Sequence, residues 1–254
     1  MVTMFHSDEW IEGIAEMQGL KVGRIDNWTY TWSRKYGLPV MQMPVKTPYF
    51  SPTGTTEQCE QAIKKLRKKF WYVHAHYSPG YMGKAHKVHY TYIHDFKDGF
   101  NFSRSLTEQL RKAERLNYEF KEGSNHKDAY LIEQKSFVRT GLNCNYSTPK
   151  RFEEFIHSIP EIGDYTISLD GIDLGYYYVV IDGDTAYAWV SAFDYEWQST
   201  RLNQLLTVLM LEDLKRKGIR YFDFVGADTE SIARYKAQFN FELVPSYSVT
   251  YKKW

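Results

Sequence analysis

Residues 185–252 constrain the fold more than any other part of this chain, because they run strand, long helix, strand, short helix, strand with almost no slack between elements. The first strand, TAYAWVSAF over 185–193, is dense in aromatic and β-branched side chains. A polar turn follows at 194–200, where Ser199 and Thr200 are placed to cap a helix. Leu202, Leu205, Leu206, Leu209 and Leu214 fall largely at helical spacing through 201–217, and Gly218 stops the helix. Residues 219–225, IRYFDFV, are apolar enough for an interior strand. Gly226 breaks that strand, Thr229 opens a short helix over 230–239, and 241–252 returns as strand. Two strands joined by one such helix lie parallel through a right-handed crossover. Ligands of these sheets bind beyond the carboxyl ends of the strands, so a pocket is expected near 193–203 and 223–228.

The preceding residues divide at the turn signal Asp98-Gly99. Before it, Ser7 caps a helix to about residue 17, with Trp10, Ile11 and Ile14 on one side. Strands are expected at 21–25, 28–32 and 40–43, then a helix opened by Thr55 or Thr56 and ending at Lys69, then strands at 71–77 and 88–94. After it, Ser105 caps a helix to about 116, 118–121 is a short strand, and helices cover 126–139 and 149–158, the second with Pro149 in its first turn. A three-strand meander follows, turning at Asp170-Gly171 and Asp182-Gly183, both strong hairpin signals. With 254 residues, 43% of them hydrophobic, the chain can build one large core or two small ones. A net charge of +1 gives no global field that gathers nucleic acid. Two cysteines, Cys59 and Cys144, without a CxxC pair, fit a reducing compartment and exclude a disulfide scaffold. With no basic-then-apolar leader and no apolar run of membrane-spanning length, a cytoplasmic protein without membrane insertion is expected.

Five segments, in order, resemble one family. MFHSDEW at 4–10 resembles an opening "FSHPFW", and HYTYIH at 89–94 resembles a "YTYVIDL" strand. SLTEQLRKAERLNYE at 105–119 resembles a "RKAEK.G..V" helix and strand, KGIRYFDFVG at 217–226 a "G…YDFGG" strand, and SIARYKAQFNF at 231–241 a "FK..FG" helix. The chain thus resembles the GNAT acyltransferases, and most closely the Fem-type peptidoglycan aminoacyltransferases and their GNAT-like relatives. That resemblance implies an α+β (mixed α/β) fold of two tandem GNAT-like halves with a cleft between them, mixed central sheets flanked by helices, a shortened half at 1–98 and a complete one at 99–254. It also implies transfer of an aminoacyl group from tRNA, or an acyl group from a CoA thioester, to an amine. Two departures bear on the donor. Members that bind acetyl-CoA carry glycines in the turn before the long helix, whose bare amides hold the pyrophosphate, whereas the turn here, 197–203, has none. The coiled-coil arm that some members use near tRNA has no counterpart. Acyl-CoA is the expected donor, because tRNA binding usually brings more positive charge, with aminoacyl-tRNA as the alternative. The acceptor is expected to be an amine on a sugar nucleotide, a cell-wall precursor or a related small metabolite. The rival reading is a catalytically silent module that keeps the fold and recognises a glycan or peptide through an aromatic cleft.

Acyl transfer to an amine requires that the amine lose a proton, that the carbonyl oxygen be stabilised as charge develops, and that the groups be held together. The sequence offers no G-x-S-x-G or Cys/His arrangement for a protein nucleophile. Lys236 matches the lysine of the family's "FK" helix. It is either a cation for the developing oxyanion or a phosphate, or a solvated helix lysine. In the first case Lys236→Ala is expected to lower turnover and leave the melting temperature nearly unchanged. Asp223 sits mid-strand, where an unpaired carboxylate is costly, so it either pairs with Lys236 or Arg234 or takes part in catalysis. Asp194, followed by Tyr195 and Glu196, is either a base acting through water or part of an ordinary polar loop. Phe193, Ser199, Thr200, Asn203 and Gly226 border the expected donor site. Tyr177, Tyr195 and Arg111 are candidate substrate contacts; the run Tyr176-Tyr177-Tyr178 alternates faces, so some of it is expected to line a cleft or meet solvent. His74 and His76 share a strand face near His86, His89 and His94, but no carboxylate or cysteine stands at ligand spacing, and no metal is expected. The basic run KKLRKK at 64–69 reads as a solvated helix face or as a contact for a phosphate-bearing substrate or tRNA.

Overall fold

A computed structural model describes residues 2–141 and 146–253. In chain order its elements are α1 (Asp8–Gln18), β1 (Lys21–Ile25), β2 (Trp28–Lys35), β3 (Leu38–Met41), α2 (Thr56–Lys69), β4 (Tyr72–Tyr77), β5 (Lys87–Asp95), α3 (Arg104–Ala113), β6 (Tyr118–Glu122), α4 (His126–Arg139), α5 (Pro149–Ser158), β7 (Ile162–Leu169), β8 (Ile172–Asp182), β9 (Thr185–Phe193), α6 (Leu202–Arg216), β10 (Tyr221–Asp223), α7 (Glu230–Ala237) and β11 (Glu242–Lys252). They form two compact units, Met1–Thr91 with Val244–Trp254, and Tyr92–Leu243. The seam is therefore not at Asp98-Gly99, and the last strand does not stay with the residues just before it. β11 pairs antiparallel with β4, from Tyr247 opposite Tyr77 to Lys252 opposite Tyr72, so its hydrogen bonds belong to unit one.

Unit one begins with capped helices. Ser7 Oγ accepts the Trp10 N–H, and Thr55 and Gln58 form a reciprocal capping box at the start of α2. β1, β2 and β3 form an antiparallel meander, and β3 meets β4 in parallel at Val40 and Tyr72, with α2 as the crossover. Trp10, Phe5, Tyr49, Phe50, Trp28 and Phe70 are almost completely buried here. His6 lies among them. Its Nδ1 accepts the Thr3 N–H at 3.1 Å, which leaves Nε2–H to donate to Ser51 Oγ at 3.3 Å. Burial lowers its pKa to about 4, against a smaller opposing pull from the Thr3 backbone. The folded pKa lies below the ordinary imidazole value of 6.5, so the stability that His6 contributes is complete above that value and is lost as pH falls toward 4. The loss attributable to this side chain is about 3 kcal/mol. Urea unfolding at pH 7 and at pH 4.5 is expected to show that loss in the wild type and a clearly smaller one in His6→Phe.

Unit two carries the end of β5, then β10, β9, β8, β7 and β6 in spatial order. β6 to β9 are antiparallel, turning at Asp170-Gly171 and Gly183, all with left-handed φ as tight hairpins require. β10 lies parallel to β9 across α6. Leu106, Leu110, Leu205, Leu206, Leu211 and Leu214 from α3 and α6 pack with Tyr165, Ile167, Tyr177, Val179 and Phe222 in one core. On α5, Phe152 stacks on Trp189 of β9 and meets Tyr178 of β8 edge-on. Both faces of this sheet are therefore covered, and Tyr176, Tyr177 and Tyr178 are all buried, at 1%, 4% and 0% exposed. The expectation that part of this run meets a cleft or solvent fails for that reason. α3 starts one residue before Ser105, with Ser103 as its cap. Near the end of α6, Asp213 is 4% exposed and accepts from Tyr165 Oη at 2.9 Å, from Lys217 Nζ at 2.9 Å and from Arg216; Lys217 also reaches Glu122 at 2.7 Å. Among the described residues no helix is long and apolar enough to cross a membrane.

Candidate active site

β10 pairs with β9 over only three residues, Tyr221–Asp223 beside Thr185, Ala186 and Tyr187, while β9 continues to Phe193. The parallel pair thus parts at its carboxyl end, where sheets of this kind take ligands. The Phe224 N–H still donates to Tyr92 O on β5 at 2.9 Å. The chain then turns left-handed at two successive residues, Val225 with φ +51° and Gly226 with φ +80°. A β-branched residue there is an outlier, since left-handed backbone costs an L-residue roughly 1–2 kcal/mol. Two side chains hold the turn. Asp223 is 2% exposed, and its Oδ1 accepts the Val225 N–H at 2.8 Å. From α7, Lys236 Nζ donates to the carbonyls of Phe224, Val225 and Gly226 at 2.6, 3.2 and 2.5 Å. An ammonium has three N–H donors, and three consecutive carbonyls take them up. Lys236 is thus neither a solvated lysine nor a cation with idle donors.

The other wall comes from β9 and the turn after it. The Phe193 ring lies over Gly175, where a Cβ would stand 2.5 Å from it, so only glycine allows that approach. Asp194 Oδ1 accepts the Glu196 N–H at 3.1 Å, and Lys135 Nζ of α4 stands 3.8 Å from Oδ2. The Arg139 guanidinium, also from α4, lies 4.3 Å over the half-exposed ring of Tyr195. Arg201 takes the left-handed N-cap position of α6, and its own side chain makes no capping hydrogen bond. Thr200 Oγ1 donates to Trp197 O at 2.6 Å and accepts the Leu202 N–H, the first of α6, at 3.4 Å, while Ser199 is exposed. Asn203 O accepts the Thr207 hydroxyl at 3.1 Å; Thr207 Oγ1 and Tyr235 Oη are 2.7 Å apart, linking α6 to α7.

The candidates therefore separate. Asp223, Gly226 and Lys236 meet at the end of β10, while Phe193, Asp194, Tyr195, Ser199, Thr200 and Asn203 follow one another at the end of β9. Tyr177 is in the core beneath α3 and α6, with burial pushing its hydroxyl well above the ordinary range, and is not placed to touch a substrate. Arg111 is exposed on α3. Val225, Lys135 and Arg139 were not legible as site residues; only the Asp-Phe-Val-Gly run, with valine where the resemblance has glycine, carried a signal. In unit one, His74, His76 and His89 pair with the hydroxyls of Thr250, Ser246 and Ser248 at 2.8, 3.0 and 2.9 Å. Among the described residues no group of three His, Cys, Asp or Glu is arranged to hold a metal. Cys59 is buried and Cys144 lies outside the described residues. The basic run 64–69 lies on α2, with Lys65 paired to Asp26 at 2.7 Å and Arg67 4.1 Å over the Tyr251 ring.

This arrangement, a parallel pair splayed beyond a meander and crossed by a long helix, defines an acyltransferase-type fold. Residues 101–237, more than half of the chain, match the model of an acetyltransferase (GNAT) domain, and the chain belongs to that family. Solved structures share its fold over nearly its whole length. FemX is 11% identical, with a TM-score of 0.65 over 98% of this chain and 92% of that one. The C-terminal DUF2156 domain of a protein described as a lysylphosphatidylglycerol synthetase, from Agrobacterium fabrum, is 12% identical, with a TM-score of 0.60 over 96% and 86%. L-PGS from Bacillus licheniformis is 11% identical, with a TM-score of 0.59 over 100% and 94%. No curated protein matches the chain.

Proposed function

We propose that this chain is an N-acyltransferase that moves an acyl or aminoacyl group onto an amine of a sugar nucleotide, a cell-wall precursor or a related small metabolite. The observation that carries the reading is the strained turn Val225-Gly226 at the open end of the β9–β10 pair, clamped by Asp223 and Lys236. Strain of this kind persists where surrounding groups over-determine it, and it clusters at functional sites. Across the opening, Asp194 supplies a carboxylate for proton removal, with Lys135 Nζ 3.8 Å from its Oδ2. The start of α6 brings the positive end of a helix to the opening with the exposed Arg201 as its N-cap residue, which suits a phosphate. That supports acyl-CoA as donor even though the turn lacks glycine, with aminoacyl-tRNA as the alternative donor.

Thermal unfolding with acetyl-CoA and, separately, with aminoacyl-tRNA tests the reading. A ligand at 100 times its dissociation constant stabilises by about 2.7 kcal/mol, an easily measured rise. A rise with acetyl-CoA is expected, and a response to neither donor contradicts the proposal.

A further inference from the structure

We infer that unit one docks on an anionic membrane surface, through the tip of the β2–β3 hairpin and the cations around it. The inference goes beyond acyl transfer and uses no residue of unit two. The chain's net charge of +1 conceals an uneven split. Unit one carries 14 Lys and Arg against 7 Asp and Glu, a net +7, and unit two carries 18 against 24, a net −6. Within unit one the charge is uneven again, since residues 27–56, 61–91 and 244–254 contain no Asp or Glu. Those segments meet at one pole. Lys35 pairs with Leu38 across the hairpin, the Trp71 N–H donates to Pro39 O at 2.9 Å, and the Lys253 N–H donates to Trp71 O at 2.9 Å. The hairpin, the start of β4 and the end of β11 are thereby held side by side. Two cavities open there and share Trp71 and Lys252. One, of about 520 Å³, is lined also by Lys35, Tyr36, Leu38 and Met43. The other, of about 340 Å³, is lined also by Arg67, Lys68 and Lys253. Among the described residues no carboxylate lines either one.

Three large apolar side chains stand out from this pole. Tyr36 is fully exposed, Leu38 is 42% exposed and Trp71 38%. Single exposed apolar residues are ordinary, but a group of them rimmed by charge marks a binding surface. Tyr36 is also unfavourable where it stands. Tyr36 and Gly37 both have left-handed φ, +52° and +80°, in a two-residue turn. Asparagine followed by glycine is the favoured pair for such a turn, and a bulky residue with positive φ is an outlier. A fully exposed ring does nothing for the fold, so its use lies outside the chain. A bilayer with anionic headgroups fits each part. Tyr and Trp settle at the level of the headgroups, and Leu38 and Met43 gain by leaving water. Each Lys or Arg near such a surface raises affinity about fivefold. A nucleic acid strand would use the cations and stack on the rings, but it offers nothing to Leu38 and Met43. The chain then lies on the membrane surface and does not span it.

Co-sedimentation of the full chain with vesicles tests the inference. Vesicles of phosphatidylcholine and phosphatidylserine in about equal parts are expected to bind it at least about tenfold more tightly than phosphatidylcholine alone. Tyr36→Asn is expected to keep or raise the melting temperature, because asparagine suits the turn, and to weaken binding about fivefold. Lys35→Ala together with Lys252→Ala is expected to weaken it about 25-fold. Wild-type binding by Tyr36→Asn, equal binding to both kinds of vesicle, or no sedimentation with either, overturns the inference. Single-stranded oligouridine held by the wild type and lost in the double lysine variant, while vesicles stay unbound, assigns the pole to nucleic acid and also overturns it. Acyl transfer is assayed without lipid, so failure here leaves the acyltransferase reading standing.

Discussion

Lys236→Ala is expected to lower acyl transfer on the order of 100-fold, the scale of losing one oxyanion-stabilising group, and to lower the stability of unit two by about 2 kcal/mol, the scale of hydrogen bonds to a charged group. Both losses come from one cause. The ammonium binds three consecutive carbonyls, and one of them belongs to Val225, whose left-handed backbone is unfavourable without that restraint. This revises the expectation from sequence, under which only turnover falls. Val225→Gly in the Lys236→Ala background separates the two effects. Glycine removes the strain at no steric cost, so part of the lost stability is expected to return while turnover stays low. Equal recovery of turnover would show that Lys236 only braces the turn. Denaturant unfolding and single-turnover rates on the same preparations make the comparison.

Asp213→Ala is the second large effect, expected to destabilise unit two by about 3 kcal/mol with no direct effect on the site. Removing one partner of a buried ion pair typically costs 3–5 kcal/mol, and the exposure of Lys217 and Arg216, 39% and 78%, places this case at the low end. Alanine leaves the Tyr165 hydroxyl buried without its acceptor, while Lys217 keeps Glu122. Burial pushes the Asp213 carboxyl up, but the bonds from Lys217, Tyr165 and Arg216 outweigh it and hold the group below its ordinary value. With the folded value depressed, its stabilisation is complete above the ordinary carboxylate range and is lost only as pH falls through it. Asp213→Asn, which keeps an acceptor for Tyr165, is expected to cost about half as much. Urea unfolding at pH 7 measures both variants.

What could be read from the sequence follows the range of the interactions involved. Ser7, the Thr55–Gln58 box, Asp170-Gly171 and Asp182-Gly183 act over two to four residues, and the elements they bound are where the sequence places them. The parallel crossover from β9 to β10 follows from a strand, a leucine-rich helix and a strand in immediate succession. The pairing of β11 with β4 joins Tyr247 to Tyr77, and nothing local to either residue announces it, so the division of the chain was misplaced. The three tyrosines of β8 were misread because helices cover both faces of the sheet, which alternation along one strand does not reveal. Asp223 and Lys236 were legible as candidates, by strand position and by resemblance. Their shared task was not, because it depends on the left-handed backbone at Val225, a conformation that valine disfavours and no pattern signals.

Titrating acetyl-CoA into the 15N-labelled chain and following every backbone amide tests most directly whether the open end of the β9–β10 pair is the donor site. Saturable shifts concentrated at residues 193–203 and 224–227 are predicted, with little change in unit one. Shifts confined to unit one, or none that saturate with either acetyl-CoA or aminoacyl-tRNA, would contradict the assignment.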